Sequence, residues 1–184
     1  MEDEEEIEGL LQTMSDVWGS EEQANAELRK QAASHNTNLF SGKLPQVDVC
    51  VVPRWMLSGP LGSGSDAAAS YNPAYENRAA QIFLGQSVIL SKERARLILA
   101  HELIHHWEQT ISTESDSNSY PAEIDTMIKQ WFPENKNESR WRSAHSHRFL
   151  ARAHLVSVEH GLELSLLLSG RKSSVGGERP GWVS

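Results

Sequence analysis

Residues 101–105 read His-Glu-Leu-Ile-His, and no other stretch restricts the fold of this chain so tightly. At 3.6 residues per turn, positions i and i+4 of a helix share one face. His101 and His105 can therefore aim both imidazoles at one ion. Glu102 lies one step round the helix, where it can reach water held by that ion without ligating the ion itself. The surrounding pattern is helical. Ser91 stands at an N-cap position and a helix is expected from Lys92 to about Thr110. Leu97, Ile98, Leu103 and Ile104 flank the pair and predict that the segment is buried. Zn2+ is the expected cofactor.

A zinc site that works on substrate needs three protein ligands and one open position. Two residues downstream can supply the third. His145 lies in Ala144-His145-Ser146-His147-Arg148-Phe149. It is four residues before Phe149, so the apolar face of a last helix would carry it inward. Glu123, near the start of the preceding helix, can instead complete a two-histidine, one-glutamate site, although a first-turn acid also suits the helix dipole. His147 is about 200° round from His145, so both cannot easily serve. His106 is about 100° off the ligand face and reads as a packing residue, or one that steadies a ligand from behind. His154 and His160 read as ordinary helix residues.

Elsewhere the periods change along the chain. Ile7, Leu10, Leu11, Met14, Val17 and Trp18 recur at helical spacing, and Gly19-Ser20 interrupts them. Ser20 with Gln23 reads as the cap of a second helical stretch to about Ala33. Val47, Val49 and Val51 alternate with Asp48, Cys50 and Val52, as in a strand. Ser58 to Ser65 reads as a loop, and 67–71 and 79–84 read as two short strands around Asn72-Pro73. Ile111 to Ser119 is polar and reads as a loop. Pro121 fits the first position of a helix carrying Ile124, Met127, Ile128 and Trp131. Ser139 caps a long last helix, with Trp141, Ala144, His145, Phe149, Ala153 and Val156 inward and Gly161 at its end.

Charge and cysteine content narrow the classes. The net charge is −8, but six acids fall within the first eight residues, leaving 19 acids against 17 bases in the remainder. Residues 1–8 are read as an acidic, disordered tag, 9–168 as one domain, and 169–184, rich in Gly and Ser, as a flexible tail. The near-neutral body argues against a strongly basic nucleic-acid binder. Cys50 is the single cysteine, which excludes an internal disulfide framework, a four-cysteine zinc ribbon and an iron–sulfur cluster. It reads as a small strand residue rather than a nucleophile. No apolar run approaches the roughly 20 residues of a membrane span. Residues 1–8 lack the basic and apolar regions of a secretory leader, so a cytoplasmic location (nuclear in a eukaryote) is expected.

Four pieces of the chain, in order, resemble the SprT-like zinc metalloprotease family, which includes the Spartan type. They are Leu39-Phe40-Ser41-Gly42-Lys43-Leu44-Pro45 before the alternating strand, the hairpin ending in Ile82-Phe83-Leu84, the segment Leu99 to Trp107 that holds the histidine pair, and His145-Ser146-His147-Arg148-Phe149. The match covers about 38–155. In the last piece the family has His-Gly-x-x-Phe, so Ser146 replaces the usual glycine. The resemblance implies an α+β fold, with helices packed on a small three-stranded antiparallel sheet in a zincin-like metalloprotease domain. It implies His145 as third ligand, with zinc in the cleft between helices and sheet, and an extended peptide added to the sheet edge. The four-cysteine ribbon that many relatives carry is missing.

The expected chemistry is peptide hydrolysis with Glu102 as general base. Tyr71, Tyr75, Tyr120 and Arg142 are candidates for a second electrophile, with no choice among them. The resemblance implies a protein substrate, including proteins bound or crosslinked to DNA. A DNA contact would run through Arg140, Arg142, Arg148 and Arg152 of the last helix and Arg171, Lys172 and Arg179 of the tail, with Trp141 able to stack on bases. Two other classes stay open. One is a regulatory protease of the ImmA/IrrE-like kind, cutting one partner such as a repressor, with Glu123 in the site. The other is a catalytically silent module that holds a peptide over a structural zinc.

Overall fold

Helix α5 (Lys92–Thr110) is buried on nearly every side, and the other elements are arranged round it. Ala95, Ile98, Leu99, Ala100, Leu103 and Ile104 are each at most 1% exposed, which identifies a central helix rather than an amphipathic one. Ser91 caps it as expected, its hydroxyl accepting from the Arg94 N–H at 3.3 Å. The computed structural model describes residues 2–57, 68–116, 120–133 and 136–169. The Ser58–Ser65 loop and residues 170–184 of the expected tail lie outside the described residues.

The N-terminal half supplies one wall. Helix α1 (Glu2–Trp18) buries Leu10, Met14 and Trp18, and the Trp18 indole N–H donates to the Ile89 carbonyl at 2.8 Å. This corrects the reading of residues 1–8 as a disordered tag: from Glu2 onward they form the first turns of α1. Asp3, Glu4, Glu5 and Glu8 are exposed while Leu10 and Met14 anchor the same helix in the core. Gly19 turns the chain at φ +94°, a value that favours glycine. Helix α2 (Glu21–Phe40) follows, capped by Ser20, and runs seven residues past its expected end. It buries Leu28, Leu39 and Phe40, and α1 and α5 pack against it.

The sheet contains β1 (Val47–Val51), β2 (Ala69–Asn72) and β3 (Ala80–Leu84), in the order β1-β3-β2. It is mixed, which corrects the expected antiparallel sheet. β2 pairs antiparallel with β3, with Tyr71 opposite Ile82. β1 pairs parallel with β3, with Val49 opposite Ile82. The short β2–β3 connection forces a hairpin, whereas the long path from β1, through helix α3 (Arg54–Leu57) and β2, leaves room for a crossover to a parallel partner. Val49, Ile82 and Leu84 face the helices. Val88 and Ile89 lie in a short helix, α4 (Gln86–Ile89).

A single 3₁₀ turn (Glu114–Asp116) and helices α6 (Ala122–Trp131), α7 (Lys136–Ala144), α8 (His147–His160) and α9 (Leu164–Ser169) complete the described chain. The expected long last helix is therefore two helices, broken at His145-Ser146. Ser146 leaves helical geometry at ψ 171° and its hydroxyl accepts from the Phe149 N–H, starting α8 as an N-cap. Gly161 ends α8 at φ +63°, as expected. The assembly is α+β, and no helix among the described residues is long and apolar enough to cross a membrane.

Candidate metal centre

His101 and His105 project from successive turns of α5, and the α7–α8 break delivers His145 to the same point. The three ring centroids form a nearly equilateral triangle, with separations of 5.0, 5.0 and 5.1 Å. One nitrogen from each ring lies within 4.8 Å of the others. Phe149 sits against all three rings at 4.4–4.9 Å and closes one side. Trp141 stacks on His145 at 4.1 Å with planes 19° apart. His145 thus reaches the site without the continuous helix expected for it, because the break turns its ring inward between Trp141 and Phe149.

Hydrogen bonds fix which nitrogens face one another. His101 Nδ1 donates to the Leu167 carbonyl of α9 at 2.8 Å, and His145 Nδ1 donates to the Trp141 carbonyl at 2.7 Å. A carbonyl can only accept, so each neutral ring carries its proton on Nδ1 and a lone pair on Nε2. Those two Nε2 atoms face each other at 3.2 Å. Two lone pairs held at that distance in a buried space repel unless a cation lies between them. His105 Nε2 is also buried and has no hydrogen-bond partner among the described residues. Tetrahedral zinc with Zn–N bonds of 2.0–2.1 Å spaces two nitrogens about 3.3 Å apart, which the His101–His145 separation matches, and three neutral imidazoles are a donor set that suits that ion.

Burial sets the protonation states. It pushes the His101 imidazole down to about 3, helped by the nearby His105 charge and opposed by the Leu167 carbonyl. Burial likewise drives His145 well below its ordinary value. Both rings stay neutral and able to ligate at physiological pH. Glu102 is 2% exposed, and its Oε2 has no hydrogen-bond partner among the described residues. Burial lifts its carboxyl to about 7, while the His105 charge pulls the other way.

The site opens on one side. A cavity of about 310 Å³ is lined by Tyr71, Pro73, His105, Glu108 and Ser146, with Gln109, Ser143 and Ala144. His106 lies behind it, as expected, and is buried. Its Nε2–H donates to the Pro45 carbonyl at 3.0 Å, so its Nδ1 accepts the Tyr71 hydroxyl at 3.1 Å.

The other candidates lie elsewhere. Glu123 is exposed on the first turn of α6, and the ligand cluster consists of histidines alone. His147 is exposed beside the Tyr120 ring, and His160 is exposed beside Glu159. Tyr75 is 64% exposed, away from the cavity lining. Arg142 is bound at 2.8 Å to both Asp125 and Glu138. Glu108 is the residue that sequence reasoning missed. It lies three positions after His105 on the same helix face, and that spacing was the available signal. Comparison with family models, curated proteins and solved structures gave no match to this chain.

Proposed function

We propose that the chain is a zinc-dependent peptidase whose metal is held by His101, His105 and His145 and whose general base is Glu102. The observation that carries this reading is the facing pair of Nε2 lone pairs on His101 and His145, with Glu102 buried on the same helix within reach of the His105 charge. When bound, zinc supplies a Lewis acid and lowers the pKa of water at its open position. Glu102 takes the proton of the attacking water and passes it to the leaving amine nitrogen. A carboxyl poised near neutrality suits both transfers.

β2 is an edge strand of the sheet and carries Tyr71 into the cavity beside His105. Its outer edge, unpaired among the described residues, offers backbone groups to an extended peptide, which favours a polypeptide substrate. The Tyr71 proton is directed to His106, so the oxygen presents lone pairs to the cleft. Tyr71 therefore acts as an acceptor for a substrate N–H and positions the peptide, rather than donating to an oxyanion.

The DNA-directed reading draws no support from the described residues. Trp141 is fully buried under His145 and cannot stack on bases. Arg148 donates to Ser112 at 3.2 Å. Arg152 binds the Leu39 carbonyl and lies over the Phe40 and Trp107 rings. Glu123 stands exposed outside the histidine cluster, so the repressor-directed reading is not favoured either. The test is cleavage of an unstructured protein substrate by the zinc-loaded chain. Wild type should cut, and Glu102→Gln should retain zinc while losing turnover by about 10²–10⁴-fold. Equal cleavage by both would remove Glu102 from its role.

A further inference from the structure

Glu108 and Ser146 join the two chain segments that carry the histidines. Glu108 follows His105 on α5, with its side chain only 7% exposed. One carboxylate oxygen, Oε2, faces His105 Nδ1 at 3.9 Å. The other, Oε1, accepts the Ser146 hydroxyl. Ser146 follows His145 directly, and the same hydroxyl oxygen accepts the Phe149 N–H that starts α8. Ser146 thus has two tasks at the break between α7 and α8.

We propose that Glu108 and Ser146 form a clasp that positions the metal ligands, fixing the His105 ring with Nε2 inward and holding the His145 segment at ligating distance from α5. This rests on the reading of the three histidines as a metal site. His101 and His145 each have a backbone carbonyl at hydrogen-bond distance to set the ring; among the described residues His105 has none, and the Glu108 carboxylate, 3.9 Å from its Nδ1, is the group placed to take that role by charge. A carboxylate facing Nδ1 favours the proton there and raises the basicity of Nε2. The Ser146 bond draws the α7–α8 break toward α5 at the level of the site. Both are positioning residues, since neither supplies a ligand atom.

The test is zinc affinity of the 184-residue chain, measured by competition with a chromophoric chelator, together with the visible spectrum of the Co2+-loaded form. Wild type should bind one zinc. Glu108→Ala should bind about 10–100-fold more weakly and show a changed Co2+ spectrum. Glu108→Gln, which keeps an oxygen for the His105 N–H, should recover most of the affinity. Ser146→Gly should weaken zinc binding; glycine costs the N-cap little, so the accompanying fall in metal-free melting temperature should be small and should report the bond lost to Glu108. Wild-type affinity and spectrum in Glu108→Gln and Ser146→Gly, with Glu108→Ala either unchanged or unfolded, would overturn the clasp and leave the metal site standing. Failure of the wild type itself to bind zinc would overturn the metal site and the clasp with it.

Discussion

His145 Nε2 lies 3.2 Å from His101 Nε2, and neither ring has a proton to place between them. Each has committed its N–H to a carbonyl on a different helix, Leu167 on α9 and Trp141 on α7. A bound cation converts this repulsion into a link between α5, α7 and α9. Removing zinc with a chelator is therefore expected to lower stability. At a free zinc concentration of about 1,000 times Kd, the loss is about 4 kcal/mol. For a chain of this size that corresponds to a fall in Tm of about 8–16 °C, read by calorimetry with and without chelator.

The ligand set makes its own prediction. His145→Ala should abolish stoichiometric zinc binding, whereas Glu123→Ala should retain it, since Glu123 is exposed on α6. Metal content by mass spectrometry after desalting decides the matter. Zinc lost from Glu123→Ala and kept in His145→Ala would refute the assignment.

Trp141 separates packing from ligation. Its side chain is fully buried, stacked on His145 and set edge-on to Trp131 at 5.9 Å. Trp141→Ala should cost about 3–5 kcal/mol in urea unfolding. Trp141→Phe should cost less and still bind zinc, because the group that orients His145 is the backbone carbonyl and not the indole.

His35 gives a pH dependence outside the site. It is 8% exposed on α2 and donates from Nε2 to the Arg96 carbonyl at 2.9 Å. Burial lowers its pKa, the carbonyl opposes this, and the charges of Arg96 and His160 add to the lowering. Above about pH 6.5 both folded and unfolded forms hold a neutral ring, and the full stability is present. As pH falls through that value, the unfolded chain takes a proton that the folded one resists, and stability is lost until the folded ring titrates. Urea midpoints of wild type should therefore drop between pH 7 and 5 by more than those of His35→Gln. Parallel curves would dismiss the idea.

The site was more legible than its surroundings. The spacing of His101 and His105, the flanking Leu97 and Ile104 and the Ser91 cap are local signals, and local signals survive folding. The direction of β1 was not legible, because alternating valines state that a strand forms and not which way its neighbour runs. The α7–α8 break was hidden for a related reason. His145, Phe149, Ala153 and Val156 keep helical spacing across it, so periodicity passed over the Ser146 cap. Residues 2–8 read as a tag because the run of acids outweighed the helical spacing that already begins at Ile7. The Leu167 carbonyl could not have been anticipated, since a backbone atom 66 positions from His101 leaves no mark in side-chain pattern.

That last contact gives the C-terminal helix a duty beyond covering the core. With Leu167 and Leu168 fully buried, α9 behaves as a latch whose own backbone grips the His101 ring from the rear. A protease nick or an expression boundary placed before Leu164 would leave every histidine and Glu102 in the chain, yet remove the carbonyl that accepts the His101 N–H. Shortened versions should be judged by where they end as much as by which signature residues they retain.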